Sequence, residues 1–311
     1  MSYSGMGAYA DGAILTFGLQ FTGFAVAAIL QTEVFYDVLG GINFLLVAVL
    51  SQLENSAVGE AAPIAVDKNL LFAILFAISR GWLLVFLAWR AHHRKGDSRF
   101  DGVRDNPPLF LVYWMVQAIW VYCISLPILV VASNGETIPS SDTMDLASLM
   151  LLGMALSIFI EIQSDVVKAK WVAGGRIGGF CTDGPWKYSR HPNYAAEITT
   201  WVFTALYAVL VSDKSVSSML IASLSPLFTM NILLNTAGTG VWNAEGKNLK
   251  RYYEHKDSSI AKNYAEYHRT TPPVFPTFVI PYESLSLDFK RKFCFEWERF
   301  EYKPSSAGKA D

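Results

Sequence analysis

The residues best suited to chemistry lie in one polar run, Gly184–Tyr194, between two long apolar segments. Arg190 offers a planar guanidinium that matches phosphate or pyrophosphate, and His191 can donate to an anion or carry a proton. Pro192 fixes its own φ and favours the start of a helix, so the next two residues fall at a helix N-terminus, where anions bind well. The run predicts a binding site for an anionic cofactor. For a single residue, an interfacial turn with an aromatic belt competes with that interpretation.

A second candidate is the polar face formed by Glu161, Asp165 and Lys168. Their spacing of i, i+4 and i+7 places all three on one side of a helix. Ionisable residues at membrane depth are costly and usually functional. The carboxylates could position a ribose hydroxyl or deliver a proton. A local ion-pair network that closes the helix end is the structural alternative.

Three other features are weaker candidates. The glycine-rich stretch Gly174–Gly179 follows no predicted strand and has no phosphate-loop pattern, so we interpret it as a connector. Arg80 lies inside an apolar segment and needs an acceptor, for which Gln20, Glu161 or a helix carbonyl could serve; a structural pair and a substrate anchor are equally good interpretations. The three cysteines are far apart and no metal-ligand spacing occurs, so no metal site is predicted.

The elements that must position these residues are membrane helices. The chain of 311 residues is 52% hydrophobic and only 17% charged, whereas soluble domains carry about 25% charged residues. Its net charge of −2 gives no argument for nucleic-acid binding. We predict an all-α, polytopic membrane helical bundle with about seven transmembrane helices and a cytosolic helical C-terminal tail. The apolar segments are Ala13–Leu30, Val38–Leu53, Leu70–Trp89, Leu109–Val131, Leu146–Ile162, Ala195–Val211 and Ser217–Leu234.

The distribution of basic residues predicts the orientation in the membrane. Lysines and arginines concentrate between the third and fourth segments, between the fifth and sixth, and after Asn235. The stretch Ala132–Asp145 carries none. The N-terminus is therefore expected to be lumenal and the C-terminus cytosolic. Gln31–Asp37, which carries only acids, runs against this assignment.

Three parts are predicted along the chain. Residues 1–145 form an N-terminal transmembrane half, the probable substrate side, and residues 146–280 hold the polar chemistry. In residues 281–311, Phe289, Phe293, Trp297 and Phe300 recur at helical spacing with bases between them. That pattern predicts an amphipathic helix over Leu285–Tyr302, either lying in the headgroup layer or packed on the bundle, followed by a frayed tail.

Four motifs in order resemble the steroid 5-alpha-reductase C-terminal-like membrane family (the DUF1295 group), which is related to sterol reductases. They are Glu161-x3-Asp165-x2-Lys168, then Gly184-x-Trp186-x-Tyr188-x-Arg190-His191-Pro192-Asn193-Tyr194-x2-Glu197, then Thr239-Gly240-x4-Glu245, and Tyr264-x2-Tyr267 before Pro276. The resemblance covers about residues 145–280. The chain departs from the family pattern at Val167, where the family usually has Gln, and at Ala196, where it usually has Gly.

The resemblance implies a helical membrane reductase that uses NADPH in a cytosol-facing pocket and acts on a C=C bond of a lipid or steroid-like substrate, with the endoplasmic reticulum as the expected membrane. It implies Tyr188, Glu161 and Asp165 as residues for proton supply or orientation. By motif position, the implied cofactor contacts are Lys168, Arg190, His191, Asn193, Tyr194, Glu245, Tyr264 and Tyr267.

Two other functions remain open. The Gly184-Pro185-Trp186 stretch also resembles the isoprenylcysteine methyltransferases, which would make the cofactor S-adenosylmethionine. The Glu161 face and Asn193 favour the reductase. A non-catalytic membrane scaffold with the same fold is the third possibility; the complete run from Arg190 to Tyr194 argues against it, and Val167 and Ala196 keep it open.

Overall fold

A computed structural model describes residues 7–58, 65–93, 98–134, 141–236 and 240–302. Throughout these ranges the regular secondary structure is helical, and no strand occurs in them. The predicted all-α class is therefore confirmed. Thr239, the first residue of the third family motif, lies outside the described residues. So do Arg94 and Lys95, two of the basic residues between the third and fourth apolar segments.

Seven helices within the described ranges are long and apolar enough to cross a membrane, as predicted. The last of them continues as a π-helix over Asn231–Asn235. The first seven helices are α1 Gly7–Leu30, α2 Tyr36–Val58, α3 Ala65–His93, α4 Pro107–Asn134, α5 Ser141–Ala173, α6 Pro192–Val211 and α7 Val216–Met230. Three shorter helices follow: α8 Gly240–Tyr253, α9 Ser258–Thr270 and α10 Leu287–Phe293.

Small and polar residues form the inward face of α1, and several of its large apolar side chains point outward. In α1 the buried positions recur every three or four residues. They are Ala8, Gly12, Thr16, Gln20, Gly23 and Ala27. Ile14, Phe21 and Ile29 on the same helix are exposed. This arrangement is typical of membrane helices, because small residues let the backbones approach closely while lipid covers the apolar surface.

The chain divides into two compact units. Unit 1 comprises Met1–Ala155 and Thr200–Phe228, and unit 2 comprises Leu156–Thr199 and Thr229–Asp311. The observed division therefore differs from the predicted boundary at residue 145. Unit 1 includes part of α6 and nearly all of α7, which the sequence analysis placed in the C-terminal part.

Arg80 is fully buried in unit 1. Its guanidinium lies 4.6 Å from the ring centroid of Trp201 and 5.5 Å from that of Phe44. One nitrogen donates to the Ser79 hydroxyl at 2.9 Å. Gln20, one of the predicted acceptors, instead accepts a hydrogen bond from Gln117 at 3.0 Å. These contacts hold the Arg80 guanidinium among aromatic rings of unit 1.

The prediction of one amphipathic helix over Leu285–Tyr302 is wrong. Helix α10 ends at Phe293, and Phe295 adopts a left-handed backbone with φ +61°. The chain then turns inward, which buries Glu296 and Phe300, while Phe289 and Phe293 stay exposed. Burial of these two side chains in unit 2 outweighs the helical periodicity of the aromatics, because tertiary packing overrides a weak local propensity.

Candidate functional site

The turn before α6 is fixed by hydrogen bonds to a distant segment of unit 2. The Arg190 amide donates to the Pro272 carbonyl oxygen at 2.9 Å. The Ser189 hydroxyl donates to the carbonyl oxygen of Val274. Pro192 then occupies the first position of α6, where its missing N–H costs nothing. The hydrogen bonds of Ser189 and Arg190 and the helix start at Pro192 thus fix the backbone before and after Arg190. The Arg190 side chain points into unit 2.

Four other ionisable side chains meet around the Arg190 guanidinium. Arg190 donates through Nη1 to Glu245 at 3.2 Å and through Nη2 to Glu296. His191 Nε2 lies 2.8 Å from the other Glu245 oxygen. His268 Nε2 contacts Arg190 Nη1 and lies 3.7 Å from Glu245. We call these residues the Arg190 cluster: Arg190, His191, Glu245, His268 and Glu296.

The Arg190 cluster is almost completely shielded from water, so each charged side chain in it is stabilised by its neighbours in the cluster. The Arg190 side chain is 3% exposed, and that of Glu245 is 4% exposed. Burial lowers the pKa of Arg190, but Glu245 and Glu296 more than offset this, so the pKa is raised. Burial raises the pKa of Glu245, but Arg190, His191 and His268 more than compensate and hold it well below its usual range. Arg190 and Glu245 are therefore both ionised at neutral pH.

The depressed pKa of Glu245 predicts a pH dependence of stability. Its contribution is complete above the pKa of an unfolded glutamate, about 4.3, and is lost as the pH falls through the lower folded value. The free energy of unfolding of the wild type should therefore fall more steeply below about pH 4.3 than that of Glu245→Gln. Denaturant titrations in detergent between neutral and acidic pH would measure this. The surface variant Glu301→Gln should follow the wild type; parallel curves for Glu245→Gln and the wild type would contradict the assignment.

Aromatic side chains of α9 pack beside the cluster. The Tyr267 hydroxyl donates to the carbonyl oxygens of Trp186 at 2.6 Å and Ser189 at 3.3 Å. Tyr264 is buried, with its ring centroid 4.4 Å from that of Tyr252 and 5.1 Å from that of Phe180. Burial raises the pKa of both tyrosines, so they stay protonated. Tyr267 therefore supports the turn directly, and Tyr264 forms part of the wall behind it.

The polar face of α5 forms a second group of predicted residues. Glu161 and Asp165 are both buried. Asn193 donates through Nδ2 to Asp165 at 3.3 Å, which links α5 to the start of α6. The Lys168 ammonium lies 4.2 Å from the Trp186 ring centroid, and the Trp186 indole donates to the Ser164 carbonyl oxygen at 2.8 Å. Asp165 is thus linked to the start of α6, and cation–π contacts with Trp171 and Trp186 hold Lys168.

Two predicted tyrosines occupy different surroundings. Tyr194 stacks on His191 with ring centroids 5.3 Å apart and an interplanar angle of 6°. Tyr188 is 53% exposed, and its ring lies 6.2 Å from that of Phe278. Tyr188, which the resemblance implied for proton supply or orientation, thus has a half-exposed side chain.

Sequence reasoning missed three residues that complete the site. His268 follows Tyr267 directly and lies one turn after Tyr264, so helical spacing in α9 could have identified it. Glu296 and Tyr282, whose hydroxyl donates to Glu296, carried no such signal. Glu296 reaches Arg190 across 106 positions of sequence, from a short non-helical stretch between α10 and the 3-10 helix Glu298–Phe300.

Within the described residues, seven helices are apolar and long enough to cross a membrane, and unit 2 contains a buried ionic cluster. Together these features define a polytopic α-helical membrane protein with a polar site. Residues 23–271 match the model of the family described as "Protein of unknown function (DUF1295)", and the chain belongs to that family. The match includes α5, the turn before α6 and helices α8 and α9, whereas Tyr282 and Glu296 lie beyond it. No curated protein and no solved structure matches the chain.

Proposed function

We propose that the protein is a membrane-embedded, NAD(P)H-dependent reductase of a C=C bond in a lipid or steroid-like substrate. The supporting observation is that motif residues distant in sequence converge in unit 2. Arg190 and His191 meet Glu245, which lies 55 and 54 positions away, and Asn193 reaches Asp165. The steroid 5-alpha-reductase-like pattern assigns a cofactor to the same residues, and the membrane helices give a lipid-soluble substrate access.

Two buried polar atoms in this region fit a bound cofactor. Arg190 Nε and Asn193 Oδ1 have no hydrogen-bond partner among the described residues. Leaving such atoms unsatisfied costs about 1–3 kcal/mol each, so a ligand that pairs with them gains affinity. In the proposal Arg190 and Asn193 supply a donor and an acceptor, and Lys168 supplies a nearby cation. The bound nicotinamide cofactor would supply the hydride.

Proton supply is assigned to the α5 face. Glu161 and Asp165 are buried, and Asn193 holds the Asp165 carboxylate. Tyr188 remains the other candidate; it would need the substrate itself to cover its exposed ring. A carboxyl group with restricted access to water is better placed than an exposed phenol to pass a proton to a developing carbanion.

The expected setting of the reaction is the cytosolic face of the endoplasmic reticulum membrane. Basic residues flank the turn before α6 and follow α7, and this distribution supports a cytosolic site and C-terminus with a lumenal N-terminus. A soluble dinucleotide is available there, and the apolar membrane helices are the proposed route by which the lipid-soluble substrate arrives.

One observation favours the second candidate, an S-adenosylmethionine-dependent methyltransferase of the isoprenylcysteine type. Two carboxylates, Glu245 and Glu296, face the single guanidinium of Arg190. An excess of negative charge suits a cationic sulfonium ligand better than a dinucleotide. A scaffold without catalysis would bind neither ligand.

Ligand-induced stabilisation distinguishes these functions. NADPH at saturating concentration should raise the unfolding temperature of the purified protein in detergent, and S-adenosylmethionine should leave it unchanged. Asn193→Ala should weaken NADPH binding several-fold because it removes the unpaired buried acceptor. Asn263→Ala, an exposed asparagine of α9, is the control and should bind as the wild type does. Stabilisation by S-adenosylmethionine alone would contradict the reductase proposal and support the methyltransferase. If neither ligand raised the unfolding temperature, the result would support the non-catalytic scaffold.

A further inference from the structure

The contact between Glu296 and Arg190 is made by a segment outside the family domain. The family match ends at residue 271, and the chain then passes through α10 before it turns inward at Phe295. Phe300 anchors this return in an apolar cluster that includes Val274 and Val241. The segment thus brings one additional carboxylate to an arginine that already has a partner within the matched domain.

Glu296 is firmly held in that position. Its Oε2 accepts from Arg190 Nη2 and from the Tyr282 hydroxyl. Its side chain is 8% exposed. Two donors on one oxygen, in a nearly dry site, make this a charge-assisted pair of the stronger kind.

The two ends of the guanidinium have different partners. Nη1 pairs with Glu245, which is carried by α8 within the matched domain, and Nη2 pairs with Glu296. Arg190 is 4% exposed and Glu296 already contacts its Nη2, so an anion that approaches Nη2 meets the Glu296 carboxylate. A carboxylate has the same bidentate-acceptor chemistry as a phosphate oxygen pair. Glu296 therefore occupies the position of an anionic ligand group on Arg190.

We propose that Glu296 is an internal competitor for anions at Arg190 and thereby determines the charge selectivity of the site. With Glu296 seated, a phosphate group must displace it or bind against its charge, whereas a cationic ligand gains from it. This inference rests on the proposed function, since it assumes that the Arg190 cluster receives a ligand. It makes Glu296 a specificity-determining residue and assigns it no step in the reaction.

The test compares Glu296→Gln with Glu298→Gln, which removes the same charge from an exposed side chain in the same segment. The probes are NADPH, inorganic pyrophosphate and S-adenosylmethionine, titrated against detergent-purified full-length protein. Glu296→Gln should bind NADPH and pyrophosphate about tenfold more tightly than the wild type, a gain of about 1.4 kcal/mol, and should not gain affinity for S-adenosylmethionine. Glu298→Gln should match the wild type for all three probes. Tighter binding of the two anionic probes without tighter binding of the cationic probe would not follow from a change in folding.

A second variant leaves the charge of the cluster unchanged. Tyr282→Phe removes one donor from Glu296, which loosens the competitor, so pyrophosphate affinity should rise about two- to threefold. Unchanged or weaker anion binding in both Glu296→Gln and Tyr282→Phe would overturn the inference. Tighter pyrophosphate binding in these variants, with no NADPH binding in any protein, would support the role of Glu296 and contradict the reductase proposal.

Discussion

Replacement of Arg190 by methionine is expected to lower the free energy of unfolding by about 3–5 kcal/mol, because it leaves two buried carboxylates without their cation. Glu245 and Glu296 both pair with this guanidinium, and both side chains are less than 10% exposed. Methionine keeps much of the side-chain volume, so the loss reports the charge. Denaturant titration of the detergent-solubilised protein would measure it.

Arg269 provides a matched control, because it also pairs with two glutamates. Its partners Glu266 and Glu283 lie at 2.7 and 2.8 Å, but its side chain is 54% exposed. Arg269→Met should therefore lower the free energy of unfolding far less than Arg190→Met does. Combining Arg190→Met with Glu245→Gln and Glu296→Gln should recover part of the stability by removing the unpaired charges. If Arg190→Met and Arg269→Met lowered the free energy of unfolding equally, the buried ion pairs of Arg190 with Glu245 and Glu296 would be contradicted.

Gly240→Ala is the second substitution with a large expected effect. Gly240 begins α8 with a left-handed backbone of φ +49°, and an added Cβ would overlap the carbonyl oxygen of Leu233. The left-handed conformation alone costs a non-glycine residue about 1–2 kcal/mol. A backbone oxygen cannot move aside as a side chain can, so we expect a total loss of about 3 kcal/mol or more. Because α8 carries Glu245, ligand binding should weaken as well.

Gly178→Ala separates the two contributions. Gly178 has φ +78°, also in the left-handed region, and nothing lies within 4 Å of a built Cβ. Gly178→Ala should lower the free energy of unfolding only by the cost of the left-handed backbone conformation. Unfolding temperatures of the two variants, measured side by side, should differ clearly; a Gly240→Ala protein as stable as Gly178→Ala would show that α8 does not begin in this close contact.

Hydropathy predicted the membrane helices well because long apolar runs have few stable alternatives in lipid. It placed their ends less well. The fifth segment was expected to end at Ile162, whereas α5 continues to Ala173 through Asp165 and Lys168. Helical backbone hydrogen bonds do not require apolar side chains, so a polar helix end is invisible to a hydropathy scan.

The site was only partly predictable for a related reason. The motif from Arg190 to Tyr194 and the spacing of Glu161 with Asp165 are local patterns, and local patterns can be read from sequence. Glu296 became part of the site through a contact made 106 residues away. Its segment had been predicted as a helix from the spacing of its aromatics, and only the packed structure shows that Phe300 and Glu296 turn inward.

Hydrogen–deuterium exchange of the full-length protein with and without NADPH tests most directly whether the Arg190 cluster is the ligand site. The proposed function predicts slower amide exchange in three places: the turn Ser189–Asn193, the start of α8 around Glu245, and α9 from Tyr264 to His268. S-adenosylmethionine at the same concentration should leave these peptides unchanged. Protection that appears elsewhere, or none at all while NADPH measurably binds, would contradict the assignment of the cofactor to this cluster.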